Sequence, residues 1–231
     1  NRLTDENELQ YFQAKAEGKV FASFGKAGSG KTETIKDIER ALGVDPVVVN
    51  CNPEESMVDV LGALPQGSVV ILDEFNRLSV TEMAHAFRLQ EERGLMMSIT
   101  LNPGYAGRAK VPPELLARCV VQQMLPPTEA PDLNVALFRG LLGRFGFLES
   151  DALAPKLCAL MAAMRDQCKK RHHYDFGLRF QHAVMRQAGR LLALDPSLDE
   201  TELLALSILK PMWAKADDAD RGVVLNLMGE L

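Results

Sequence analysis

The run Gly25-Lys26-Ala27-Gly28-Ser29-Gly30-Lys31-Thr32 has the spacing GxxxxGK[ST], which suits a phosphate cradle. Glycines let successive backbone N–H groups turn inward around the β- and γ-phosphates, and a helix starting there adds a dipole that favours negative charge. Lys31 then neutralises phosphate charge, and the Thr32 hydroxyl is a ligand for Mg²⁺. A second run, Val69-Val70-Ile71-Leu72-Asp73-Glu74, is an apolar strand ending in two carboxylates. Adjacent acids at the tip of a buried strand are costly unless a cation sits nearby. Asp73 can hold Mg²⁺ through its water, and Glu74 can polarise a water that attacks the γ-phosphate. A third run, Ile99-Thr100-Leu101-Asn102, ends in an amide able to orient that water, although Asn102-Pro103-Gly104 taken alone is also simply a good turn.

Such residues have to be carried by a sheet. β-Rich runs at Val20 to Phe24, Val47 to Asn50, Val69 to Asp73, Met97 to Leu101 and Cys119 to Gln122 alternate with helical stretches, the pattern of a parallel sheet with crossover helices. Helices are predicted from Thr32 to Leu42, with Ile35, Ile38 and Leu42 on one stripe, and from Ser79 to Arg93, where Ser79 and Glu82 form a capping pair. A short helix is expected after Pro112-Pro113. Beyond Pro126-Pro127 the strand signal ends, and helices are predicted over 132–145, 151–170, 176–194, 200–208 and 222–230. The expected organisation is an α/β nucleotide-binding part, 1–126, followed by a helical part, 127–231.

Composition excludes other classes. With 47% apolar and 25% charged residues the chain is an ordinary folded protein, and a net charge of −5 provides no basic field for nucleic acid or an anionic membrane. No apolar window is long enough to span a bilayer, and Asn1-Arg2-Leu3-Thr4-Asp5 is neither a signal nor a transit peptide, so a cytoplasmic location is expected. The lack of an initiator Met points to a piece of a longer chain. Cys51, Cys119, Cys158 and Cys168 have no CxxC pairing and read as reduced thiols. Cys168 with His172 and His173 lacks a second ligand pair at metal spacing, so zinc is not expected. Trp213 and the scattered methionines read as core or interface packing.

Gly30-Lys31-Thr32-Glu33-Thr34, Asn50-Cys51, Asp73-Glu74-Phe75-Asn76-Arg77, the stretch ITLNPGYAGR from Ile99 to Arg108, and His173-Tyr174-Asp175-Phe176-Gly177-Leu178-Arg179 together resemble the first, hydrolytic AAA+ module of dynein heavy chains. Leu3-Thr4-Asp5 resembles the start of that module, and the similarity runs almost to the closing Val223 to Leu231. The resemblance implies an AAA+ P-loop fold, with a five-stranded parallel sheet in the order 5-1-4-3-2 and a C-terminal helical lid. Its implied cofactors are ATP and Mg²⁺. ATP would contact Leu3 and Thr4 at the adenine and Ala27, Gly28, Ser29, Gly30, Lys31, Thr32 and Glu33 along the phosphate loop. Glu74 would be the catalytic Walker B glutamate, Asn102 sensor I and Arg179 sensor II, with Thr32 and Asp73 at the metal. Arg118 stands where such a module presents an arginine to its neighbour, or is a solvated surface arginine. Implied partners are the neighbouring AAA+ modules and linker of the same heavy chain, with accessory chains and microtubules engaged only through the full motor, in the cytoskeleton.

The sequence departs from the family twice. The stretch 78–101 has room for one helix and one strand only, whereas the family carries insert loops there that meet the linker. Lys26 replaces the usual proline of the loop, and either adds charge beside the phosphates or points to water. The leading expectation is an ATP-hydrolysing motor module. Its rival is a regulatory module that binds nucleotide with little turnover, and a small-molecule kinase comes third for want of a substrate pocket.

Overall fold

Five strands form one sheet: β1 (Val20–Phe24), β2 (Val47–Asn50), β3 (Val69–Asp73), β4 (Met96–Leu101) and β5 (Cys119–Gln123). Their order is β2-β3-β4-β1-β5, and every pairing is parallel. Read from the other edge this is 5-1-4-3-2, the order implied above. The structure is a computed structural model that describes residues 2–103, 107–126, 129–169, 174 and 176–229, with the backbone alone at 2–4 and 131. β1, β3 and β4 are buried along nearly their whole length, which explains the continuous apolar run of β3, while the edge strands β2 and β5 are half exposed.

Helices cover both faces. Tyr11 and Ala14 of α1 (Arg2–Ala16) and Ile35 and Ile38 of α2 (Lys31–Ala41) pack on Phe21, Ile71 and Val120. On the opposite face α3 (Met57–Gly62), α4 (Val80–Glu92) and α5 (Pro113–Leu116) bring Met57, Leu61, Met83, Phe87 and Leu115 against Val20, Val70, Leu72 and Ile99. The Ser79 side chain accepts the Glu82 N–H at 3.2 Å, so α4 starts where the capping pair predicts. At its far end Arg93 and Gly94 make a tight turn (Gly94 φ 60°) that leads at once into Leu95 and β4.

Neither α1 nor α3 is anticipated by the sequence pattern. Tyr11 and Ala14 of α1 are buried while Leu9 and Phe12 are exposed, so its apolar residues follow no single stripe. α3 is a 6-residue helix, too short for periodicity to reveal.

The chain divides into two units, 1–126 and 127–231. The second comprises α6 (Pro131–Arg144), α7 (Ser150–Gln167), α8 (Leu178–Leu194), α9 (Glu200–Lys215) and α10 (Asp218–Met228), around a core that includes Phe138, Leu157, Met161, Met185 and Leu204. α9 continues past Pro211 to Lys215, well beyond the predicted 200–208, because Ile208 and Met212 remain on its buried stripe. Asp199 and Asp217 cap α9 and α10, each accepting a backbone N–H at 3.0 Å. No described helix is long and apolar enough to cross a membrane.

Candidate active site

The glycine-rich loop leaves β1 tied to its neighbours. Gly25 N–H donates to the Leu101 carbonyl at 3.1 Å, and a Cβ on Gly25 would lie 2.4 Å from the Met124 carbonyl oxygen, a space only glycine fits. Gly28 and Gly30 have φ of 77° and 85°, which turns the backbone into α2 without the strain a side chain would bring. Among the described residues no side chain caps the N-terminus of α2. Lys31 is 6% exposed, and its Nζ donates to the carbonyls of Gly25 and Lys26, both at 2.8 Å. The ammonium therefore lies across the base of the loop.

Parallel pairing of β3 between β2 and β4 brings the second and third runs to the same end of the sheet. Thr32 Oγ1 donates to Asp73 Oδ1 at 2.5 Å, and Thr100 Oγ1 donates to the same oxygen at 2.6 Å. Thr100 Oγ1 in turn accepts the Glu74 N–H at 2.9 Å. Glu74 is, among the described residues, the non-glycine with positive φ (56°, ψ 41°). Such a left-handed residue costs on the order of 1–3 kcal/mol and persists only where its surroundings impose it. Here Thr100 holds its N–H, and the next residue, Phe75, is buried edge-on against Phe87.

The Glu74 carboxylate is held at both oxygens. Oε1 accepts from Asn102 Nδ2 at 2.9 Å, while Oε2 accepts from Arg108 Nη2 at 3.0 Å and Arg77 Nη1 at 3.3 Å. A carboxylate only accepts, so the Asn102 atom facing it is the amide nitrogen, which leaves Asn102 Oδ1 buried without a partner among the described residues. Asn102 is itself clamped by Asn76, whose Nδ2 donates to the Asn102 carbonyl at 2.9 Å.

Thr32, Asp73, Glu74 and Asn102 thus converge beside the Gly25–Thr32 loop. Ser29 is buried, Ala27 is exposed, and Glu33 faces solvent and pairs with Lys36 at 2.8 Å. Leu3 and Thr4 lie on the first turn of α1, and their side chains are outside the described residues. Arg179 is exposed near the start of α8 in the second unit. In the motif around it Tyr174 donates its hydroxyl to buried Asp220 at 2.8 Å and Phe176 is buried, while His172, His173 and Asp175 fall outside the described residues. Arg118 is bound to its own α4, by an ion pair with Glu91 at 2.5 Å and by the face of Phe87.

Sequence reasoning missed Thr100, Asn76 and Arg108. The one signal for Arg108 was the cost of two adjacent carboxylates at the tip of a buried strand, which demands a cation without saying which. Nearby, Cys51 is fully buried and donates its N–H to the Asp73 carbonyl at 2.9 Å. Burial, reinforced by the Asp73 charge, pushes its thiol up to about 12, so it is no nucleophile.

The donor set fits a nucleoside triphosphate with Mg²⁺. A hydroxyl and a carboxylate are hard oxygen donors, and a few protein oxygens completed by water and phosphate suit that ion. The loop leaves open space at Gly28, where a Cβ meets nothing within 4 Å among the described residues.

The family described as the hydrolytic ATP binding site of the dynein motor region matches residues 2–86 and 83–231, two stretches that overlap within α4, the helix after which the chain passes directly to β4. Human dynein axonemal heavy chain 1 is 32% identical over 215 residues, covering 82% of this chain and 5% of that protein. The ciliary dynein beta chain of Heliocidaris crassispina is 34% identical over 236 residues, 91% of this chain and 5% of its own length. The dynein-1-beta heavy chain of the Chlamydomonas reinhardtii flagellar inner arm I1 complex is 32% identical over 234 residues, 90% of this chain and 5% of its own. The chain spans only a small fraction of each relative. With a phosphate loop, an acidic strand tip and a polar third strand end on a 5-1-4-3-2 sheet, and with nearly its whole length matched, it belongs to the family of the hydrolytic ATP-binding region of the dynein motor.

Proposed function

We propose that the chain is an ATPase module that hydrolyses ATP with Glu74 as general base and Asn102 orienting the attacking water. The observation that carries this reading is the 2.9 Å contact from Asn102 Nδ2 to Glu74 Oε1, with Asn102 Oδ1 buried and unpartnered among the described residues. A water has two hydrogens to donate, and this pair holds two acceptors beside the glycine-rich loop, Glu74 at hand and Asn102 Oδ1 for a water that reaches it.

Each residue then has a part. The loop N–H groups and Lys31 hold the β- and γ-phosphates, for which Lys31 exchanges its carbonyl partners. Thr32, and Asp73 through water, would hold Mg²⁺, which when bound would offset the charge of the phosphate oxygens. Glu74 takes the proton of the water as its oxygen bonds to the γ-phosphorus and the bond to the bridging oxygen breaks, releasing ADP and phosphate. General-base help of this kind is worth roughly 10²- to 10⁴-fold. Arg179 would report on the phosphates from the helical unit, and Leu3 and Thr4 would meet the adenine. Because Arg118 is tied to α4, we assign the arginine that completes the site to a following module of a longer chain. Partners on this reading are neighbouring AAA+ modules and the linker, with accessory chains and microtubules reached through the whole motor. The axonemal, ciliary and flagellar relatives support a place in the cytoskeleton.

The short passage from α4 to β4 favours a second reading, a module that binds nucleotide and regulates with little turnover. Single-turnover hydrolysis by Glu74→Gln separates the two. Retained ATP binding with cleavage slowed by about 10²-fold or more is expected, since the amide cannot take the proton. Cleavage at the parent rate moves the assignment to the regulatory reading.

A further inference from the structure

We propose that Arg108 is a positioning residue for hydrolysis, holding the Glu74 carboxylate in the orientation from which it takes the proton of water. The inference rests on the role of Glu74 given above and deepens it.

The Glu74 side chain leaves a left-handed backbone at the strand tip, and three donors fix its carboxylate. Asn102 takes one oxygen and the two guanidiniums the other, which sets the plane of the group. The guanidiniums are not equivalent. Arg77 is 44% exposed, sits three residues along the chain and binds at 3.3 Å, and a pair of that kind restrains little. Arg108 is 16% exposed and binds at 3.0 Å, so the lasting restraint comes from it.

The fold also controls how Arg108 arrives. The Asn76 amide donates to the Asn102 carbonyl at 2.9 Å, and the Asn76 carbonyl accepts the Ala109 N–H at 2.9 Å. One residue, two positions beyond Glu74, therefore anchors both the strand end that delivers Asn102 and the segment that delivers Arg108. Arg108 Nη1 is buried without an acceptor among the described residues, a cost that merely neutralising Glu74 at the surface would not incur.

The test uses the 231-residue chain, with MgATP affinity from calorimetry and cleavage from single turnovers, in Arg108→Met, Arg108→Lys, Glu74→Gln and the double variants. Arg108→Met should keep its affinity within about 3-fold while cleavage falls about 10- to 100-fold, the scale of a displaced catalytic group. Arg108→Lys should fall between, because the ammonium keeps the charge and loses the planar fork. Added to Glu74→Gln, neither substitution should slow cleavage further, since the group it positions no longer takes a proton. Parent-rate cleavage in Arg108→Met, or an equal slowing on top of Glu74→Gln, overturns the proposal. Parent-rate cleavage in Glu74→Gln alone instead overturns the hydrolytic role of Glu74. If Arg108→Met loses its thermal transition, Arg108→Lys on the two backgrounds gives the same comparison: slowing only where Glu74 is present supports the role, and slowing in both removes it.

Discussion

Thr32 donates its hydroxyl to Asp73 across 2.5 Å, joining the first turn of α2 to the tip of β3 over 41 positions of sequence. The hydroxyl and carboxylate assigned to one Mg²⁺ from separate motifs are therefore already in contact. Thr100 binds the same Asp73 oxygen and the Glu74 N–H, so the residue proposed for the metal and the residue proposed for the water share one side chain.

Lys31→Ala should abolish detectable ATP binding. The ammonium bridges two loop carbonyls, and its loss removes both that brace and the main cation facing the triphosphate. Calorimetry with MgATP should lose about 100-fold or more in affinity, the worth of one or two charge-assisted hydrogen bonds. Unchanged affinity contradicts the phosphate-loop assignment.

Gly25→Ala should destabilise the first unit by about 1–3 kcal/mol, the usual cost of overpacking. The added Cβ would fall 2.4 Å from the Met124 carbonyl oxygen and 3.0 Å from Ser29 Oγ, and the nearer atom is backbone that cannot swing aside. A denaturant titration measures it. Gly28→Ala, in open space but at φ 77°, should be destabilising through backbone strain alone.

Stability should decline above pH 9. The folded chain holds the Cys51 thiol protonated up to about 12, chiefly through burial and next through the Asp73 charge, whereas the unfolded thiol ionises from its ordinary 9.0. A group raised on folding contributes stability that is complete below the unfolded value and is lost as pH rises toward the folded one, by up to about 1.4 kcal/mol per pH unit. Burial shifts Cys119 and Cys158 upward as well. Urea unfolding of the parent and Cys51→Ala between pH 8 and 11 checks the sign: the variant should show the shallower decline.

Arg179→Ala should leave the helical unit folded, since the side chain is exposed on α8 while Val184, Met185 and Ala188 carry the packing. If Arg179 touches phosphate, ATP should protect residues 176–194 from hydrogen exchange in the parent and less so in the variant. Equal protection in both argues against a sensor role.

Residue order alone determined much of this. The continuous apolar run of β3 marks a strand buried on both faces, and β1, β3 and β4 lie within a residue of the β-rich runs that predict them. The Gly25–Thr32 loop is equally legible, because the phosphate cradle proposed for it consists of consecutive backbone groups and a helix start. Asp73, Glu74 and Asn102 could be named because parallel strands deliver their carboxyl ends to one edge. The helix α1 was not legible. It is held by Tyr11, whose hydroxyl bonds Glu39 of α2, and by Lys15, which reaches the same carboxylate at 3.1 Å. The left-handed turn at Glu74, the Asn76 clamp and the Arg108 pair were equally beyond reach. Patterns in sequence report periodicity and short-range geometry, which local backbone preference and burial impose. Which distant cation meets a carboxylate, and which hydroxyl holds a strained backbone N–H, is settled only when β3 and β4 lie side by side and each buried polar atom must find a partner.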